Sequence, residues 1–249
     1  MIIAFSGRKT AGKNTCGNYV LGTILWMSGV VKNTYKISDK GDLLISDIFG
    51  DTSKNGVFDL KLESPSFQDF LNKEVYPIVK VYSFADPLKE MCRDIFGLDP
   101  HLLWGSNEQK NTPTNLKWED VPTKTSKKGY MSVREVLEYV GTDLFRTMYQ
   151  NVWRDALIRK IKNDNSMFAI ITDARFENEF EAIQNNGGKV IKLTRGIAGE
   201  KNDVDKYENY DHIIDNKDLT IPQQNLEIDK ILQEIRLHNL FGIKQNVYN

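Results

Sequence analysis

Residues 1–15 read MIIAFSGRKTAGKNT. The chain starts on five apolar residues, Met1 to Phe5, the pattern of a short strand buried on both faces. Gly7-Arg8-Lys9-Thr10-Ala11-Gly12-Lys13 follows, with the glycine and lysine spacing of a loop that cradles phosphates. A helix is expected from about Lys13 to Trp26, so strand, glycine loop and helix come in the order the motif requires. The glycines let backbone N–H groups turn inward and approach a phosphate closely. Lys13 supplies a point charge to the β- and γ-phosphates, and the start of the helix behind it favours anions. A plain glycine turn between a strand and a helix is the competing reading; lysine, spacing and context together favour phosphate.

The position after the lysine usually carries Ser or Thr, whose hydroxyl meets a magnesium ion. Here it is Asn14, and Thr15 comes one place late. An amide oxygen is also a hard ligand that binds Mg²⁺ directly or through water, and Thr15 keeps a hydroxyl for a phosphate oxygen. The stretch is read as a variant phosphate loop. Gly7, Arg8, Lys9, Thr10, Ala11, Gly12, Lys13, Asn14 and Thr15 are expected to bind the triphosphate, with Asn14 near the metal.

The remaining chain extends this start as alternating strands and helices. Strands are expected at 78–84, 168–172, 189–193 and 211–214. Helices are expected from Pro87 to about Phe96, after Ser132, over 152–162, over 176–185 and over about 226–237. Asp86 is placed to cap the helix that Pro87 opens, and Ser132 with Glu135 has capping-box spacing. This alternation predicts an α/β fold, a mostly parallel sheet with helices on both faces, in one domain over 1–249. The polar stretch 32–62 reads as an inserted hairpin or small subdomain, and 100–130 as a lid or mobile loop. Ligands of such sheets bind outside the carboxyl ends of the strands. Gly7, Asp86, Asp173 and Arg195 all fall at such ends.

Bulk properties narrow the function. Thirty-three basic residues against 34 acidic ones give a net charge of −1, which removes the simplest electrostatic case for a nucleic-acid binder. The two cysteines, Cys16 and Cys92, form no metal-ligand spacing or disulfide framework, so a reducing cytoplasm is expected. No apolar run approaches the roughly 20 residues of a membrane helix. His101, His212 and His238 show no nucleophilic or metal pattern. Asp173, after FAIIT, is placed to hold Mg²⁺ or its waters, against the plainer reading of a helix-capping Asp.

Four stretches together resemble the deoxynucleoside monophosphate kinases of tailed bacteriophages, which carry a P-loop NTPase fold. They are GRKTAGKNT (7–15), SFADPLKEMCRDIFGL (83–98), VREVLEYVGTDLFRTMYQNVWRDAL (133–157) and ITDARFENEFEAI (171–183). The likeness runs from residue 1 to about 195, leaving out 32–62 and much of 100–130. It departs at Asn14, where the family usually has Asp. The segment 210–215 follows the family's His-containing stretch only loosely, so nothing is carried over from it.

The resemblance implies direct in-line transfer of the γ-phosphate of ATP to a deoxynucleoside 5′-monophosphate, with Mg²⁺. Lys13, Asp173 and Arg175 would then be catalytic, and Asn14 and Asp173 would serve the metal. The plainer role for Arg175 is a salt bridge with Glu179. Arg195 would contact ATP as an adenine-stacking group or a lid cation. Phe84, Asp86, Lys89, Arg134, Asp143, Arg146 and Trp153 would bind the acceptor. ATP and the monophosphate are the expected partners, with no direct nucleic-acid or membrane contact; a homodimer stays open. Two alternatives remain. One is the same fold acting on another small acceptor, of the dephospho-coenzyme A or phosphomevalonate type. The other is a nucleotide-binding regulatory protein with little turnover.

Overall fold

The computed structural model describes residues 1–45, 56–122, 126–197 and 203–241. Residues 46–55 of the polar stretch, 123–125 of the basic loop and the side chain of His238 lie outside the described residues. The chain divides into two compact units, Met1–Ser83 with Lys160–Asn249, and Phe84–Arg159.

The first unit opens with β1 (Ile2–Gly7), every residue of which is buried. The loop leads into α1 (Lys13–Met27). The polar stretch then forms an antiparallel hairpin of β2 (Tyr35–Ile37) and β3 (Leu43–Ile45). Its Leu43 and Ile45, with Phe58, belong to the same apolar cluster as Val20 and Ile24 of α1, so the hairpin is part of the unit's core. A short helix, α2 (Pro65–Phe70), continues as a π-helical turn over Leu71–Val75 and delivers the chain to β4 (Val79–Tyr82).

The second unit holds α3 (Asp86–Phe96), α4 (Pro100–Leu103), an antiparallel pair of β5 (Pro113–Lys117) and β6 (Tyr130–Ser132), and α5 (Val133–Glu138). Ser132 and Glu135 form the capping box at the start of α5, as their spacing predicts. A π-helical stretch, Tyr139–Arg146, follows. The unit's core is Cys92, Leu98, Leu103, Trp118, Met131, Val133, Val136, Tyr139 and Val140. Residues 100–130, where the sequence shows no period, contain α4 and β5. One expectation changes here. Asp86 was expected to cap α3. Ala85 takes the cap position instead, and the Asp86 carboxylate accepts from Trp104 Nε1 at 3.0 Å.

Helix α6 (Val152–Asp164) returns the chain to the first unit. There follow β7 (Phe168–Ala174), α7 (Glu177–Asn185), β8 (Lys189–Leu193), β9 (His212–Ile214), α8 (Ile221–Glu234) and α9 (Leu237–Leu240). Helix α8 begins five residues before the expected Leu226, because Thr220 and Gln223 make a capping box there.

Five strands form one parallel sheet in the order β4-β7-β1-β8-β9. Parallel sheets bury both faces, which explains the unbroken apolar runs of β1 and β7. One face carries Ile3, Phe5, Ile170 and Ile191 against Cys16, Val20 and Ile24 of α1 and Ile228 and Leu232 of α8. On the other, Gly188 threads between Ile183 of α7 and Ile2; a Cβ there would lie 2.7 Å from Ile183 Cγ2.

Candidate active site

Because the five strands run parallel, their carboxyl ends share one edge of the sheet. Gly7 pairs with Leu193, Ser6 with Ala174, and Leu193 with Ile214. That edge gathers Ser83 after β4, Gly7 at the end of β1, Asp173 in β7, Arg195 after β8 and Asn216 after β9. The chain passes from β1 to the far edge at β4, returns inward to β7 and then crosses to β8 on the other side of β1. The end of β1 therefore lies at the topological switch point where such sheets bind ligands. Asp86 lies in the second unit.

The glycine loop stands at that point. Gly12 takes φ +94° and forms the N-cap of α1, a conformation that L side chains rarely adopt. Thr10 sits at φ +62°. A β-branched residue there costs about 1–2 kcal/mol, and such conformations persist where the surrounding structure enforces them. The Lys13 ammonium donates to the carbonyl oxygens of Gly7 and Arg8, both at 2.7 Å, and only 9% of the residue is exposed. The lysine therefore curls back over the loop that precedes it.

Other segments brace the loop from outside. Ile197 N donates to Lys9 O at 3.1 Å, and Arg8 pairs with Asp205 at 2.9 Å. Asn216 donates through Nδ2 to Ala11 O at 2.8 Å and to Gln224 Oε1 at 2.7 Å, and its Oδ1 accepts from Arg195 N at 2.9 Å. The Arg195 guanidinium donates to Leu219 O.

Asn14 and Thr15 differ in surroundings. Asn14 is exposed in the first turn of α1. Thr15 is half-buried against Gly41 of the hairpin turn. Gly41 has φ +88°, and a Cβ on it would come within 2.2 Å of Thr15 Oγ1. Asn18 Nδ2 donates to Gly41 O at 2.9 Å and fixes that approach.

Asp173 is half-buried near the end of β7, and its carboxylate accepts from Ser83 Oγ at 2.5 Å. Arg175, two residues on, is half-buried; its N–H donates to Glu179 Oε2 at 2.8 Å and its carbonyl accepts from Asp203 N at 2.9 Å. Glu179 is 3% exposed and also accepts from Phe176 N, so its carboxylate closes the start of α7. Burial pushes the Cys16 thiol up to about 12, against the opposing pull of Arg195 and Lys13. It stays protonated near neutrality and packs in the core.

In the second unit, Phe84 and Trp153 are buried, at 4% and 6% exposure. Trp153 donates through Nε1 to Gly141 O at 2.9 Å and packs on Phe145. Asp86, Lys89 and Trp104 form a cluster. The Lys89 ammonium lies 3.7 Å from Asp86 Oδ1 and 5.5 Å from the Trp104 ring centre, the reach of a cation–π contact. Arg134 donates to Asn111 Oδ1 at 3.1 Å and Asn107 Oδ1 at 3.0 Å. Asp143 is exposed and Arg146 half-buried in the π-helical stretch.

Sequence reading missed Ser83 as a partner of Asp173, and it missed Asn216 and Gln224 as partners of the loop. Asn216 lies 205 residues from Ala11. The one local signal was an amide side chain two residues past the end of a strand; its burial appears only in the fold.

Comparison with known proteins places this geometry in context. A family model described as deoxynucleotide monophosphate kinase matches residues 90–229. The match takes in β7, β8 and β9 but not the glycine loop. A protein of Acanthamoeba polyphaga mimivirus named "Putative deoxynucleotide monophosphate kinase" is 34% identical over 135 residues, covering 47% of this chain and 62% of that protein. The match thus spans under two thirds of the relative's length.

Proposed function

The chain belongs to the deoxynucleotide monophosphate kinase family, and we propose that it transfers the γ-phosphate of ATP to a deoxynucleoside 5′-monophosphate, giving the diphosphate and ADP. The observation that carries this reading is the glycine loop at the end of the central strand, with Lys13 drawn over it and Asp173 on the neighbouring strand. An acceptor phosphate oxygen attacks the γ-phosphorus in line, the bond to the β–γ bridging oxygen breaks, and no covalent intermediate with the protein forms. Chemistry of this kind rests on positioning and on compensating charge.

Lys13 exchanges its loop carbonyls for phosphate oxygens as the triphosphate enters. Arg175 meets the migrating phosphoryl group, for which a planar, permanently charged guanidinium is suited. Arg195, held by Leu219 O and Asn216, contacts the ATP side. On the acceptor side, Arg134 and Arg146 hold the monophosphate, with Asp86, Lys89 and Asp143 as polar contacts. Phe84 and Trp153 form the apolar support of the base site. Residues 100–130 act as the lid that excludes water, since an open site hydrolyses ATP.

The side chains fit magnesium held chiefly by the substrate. Among the described residues no group of three or more His, Cys, Asp and Glu is placed to hold a metal ion. Asn14 and Asp173 offer two hard oxygen donors, and phosphate and water complete such a sphere. The exposure of Asn14 and the packing of Thr15 against Gly41 favour the amide for this role. When bound, Mg²⁺ offsets charge on the phosphate oxygens.

A coupled ADP-release assay across deoxynucleoside monophosphates, ribonucleoside monophosphates and buffer tests the reading. ADP release that depends on a deoxynucleoside monophosphate supports it. Release that is equal in buffer, or that appears only with another acceptor, rejects it.

A further inference from the structure

Asn216 is wholly buried, yet it is polar and uses both ends of its amide. Its two N–H groups serve Ala11 O and Gln224 Oε1, and its oxygen serves Arg195 N. Three of its four hydrogen-bonding positions are thereby filled, and the ring of partners joins the glycine loop, the end of β8 and helix α8. Gln224 is itself 3% exposed and lies against the same loop; a Cβ on Gly12 would meet its Oε1 at 3.4 Å. A buried polar network of this kind rigidifies what it touches when fully satisfied.

The bond to Ala11 has a geometric consequence. A trans peptide is planar, and its C=O and N–H point in opposite directions. Holding the Ala11 carbonyl toward Asn216 therefore aims the Gly12 N–H away from Asn216. Gly12 is the loop's last residue before Lys13, and its N–H is one of those a phosphate would meet at the start of α1. Gly12 is left-handed and carries no side chain, so nothing in the residue itself fixes this peptide plane. We infer that Asn216, backed by Gln224, is a positioning residue that presets the Ala11–Gly12 peptide for the donor's phosphates. The inference rests on the phosphate-loop reading above.

Asn216→Asp keeps the shape but replaces both donors with an oxygen that repels the Ala11 carbonyl. Gln224→Met keeps the volume, removes the acceptor and leaves Asn216 free to turn. Calorimetric titration of wild type and both variants with Mg-ADP, inorganic triphosphate and a deoxynucleoside monophosphate reads the effect without turnover, alongside melting temperatures. The expected result is a loss of about tenfold or more in affinity for ADP and triphosphate in Asn216→Asp, the scale of one hydrogen bond to a charged group. Gln224→Met should show a smaller loss of the same kind, and monophosphate affinity should stay within about twofold of wild type in both. Should Asn216→Asp fail to fold, Gln224→Met decides by the same split. Unchanged ADP and triphosphate affinity with a lowered melting temperature would make the amides mere scaffold and overturn the inference alone. Wild type that binds neither ADP nor triphosphate would overturn both it and the phosphate-loop reading.

Discussion

The ammonium of Lys13 lies 2.7 Å from the carbonyl oxygen of Gly7, six residues earlier and at the far end of the same loop. The side chain proposed to meet phosphate thus also ties the loop together. Lys13→Ala should lower turnover by about two to three orders of magnitude, the cost of removing one preorganised contact to the transition state. It should also lower the melting temperature, since hydrogen bonds to a charged group contribute about 1.5–3 kcal/mol. Lys13→Arg keeps a charge but not the reach of a compact ammonium, and should recover stability more than rate. Near-normal turnover in Lys13→Ala, measured beside its melting curve, would remove the loop from the reaction.

The exposed amide of Asn14 sets a magnesium requirement. Asn14→Asp adds a charge at that position and should lower the free Mg²⁺ needed for half-maximal rate. Asn14→Leu keeps similar bulk without the oxygen and should raise it. A magnesium titration at saturating nucleotide reads both. Two wild-type curves would shift attention to Thr15, despite its packing against Gly41.

Arg134 is anchored by Asn107 and Asn111. Arg134→Ala should raise the KM for the monophosphate about ten- to a hundredfold, on the scale of one lost charge-assisted contact, and change the KM for ATP far less. Arg134→Lys keeps the charge but cannot reach both asparagines as a planar fork does, so it should restore little. Equal effects on the two substrates would take this arginine out of the acceptor site.

Asp211 ties β8 to β9 and α7. Its carboxylate takes bonds from Lys189 Nζ at 2.8 Å, Val190 N at 2.9 Å and Gln184 Nε2 at 2.9 Å. Partial burial pushes its pKa up, but Lys189 and the two hydrogen bonds outweigh this, so it falls below the ordinary value of 3.8. A carboxylate with a depressed folded-state pKa stabilises the fold above its unfolded value, and that contribution is lost as pH falls through the folded value. Asp211→Asn should therefore lower the melting temperature near neutrality, with the gap to wild type closing below about pH 4. A constant gap from pH 7 to pH 3 would show that the carboxylate's charge plays no part.

The parts of the fold that the sequence disclosed are those with local causes. The apolar run of β1, the glycine spacing and the Ser132–Glu135 pair each act within a few residues, and the structure has a strand, a loop and a capped helix there. Asp86 misled because capping and tertiary pairing compete for one carboxylate, and Trp104, 18 residues away, takes it. The polar stretch 32–62 reads as a hairpin or small subdomain, and β2 and β3 do form a hairpin there. What the local pattern did not disclose is that Leu43, Ile45 and Phe58 join the core of the first unit, a contact made only through the fold. The partners of the loop, Asn216 and Gln224, leave no periodic trace. Their role exists only once β9 is laid beside β8 and α8 returns to α1.

The most direct test of phosphoryl transfer is a phosphorus NMR time course of ATP, Mg²⁺ and a deoxynucleoside monophosphate with catalytic amounts of the protein. ADP and the deoxynucleoside diphosphate should grow together in equal amounts, with inorganic phosphate staying at background. Inorganic phosphate rising with ADP while the monophosphate signal stays unchanged would contradict the proposal, as would ATP that is never consumed.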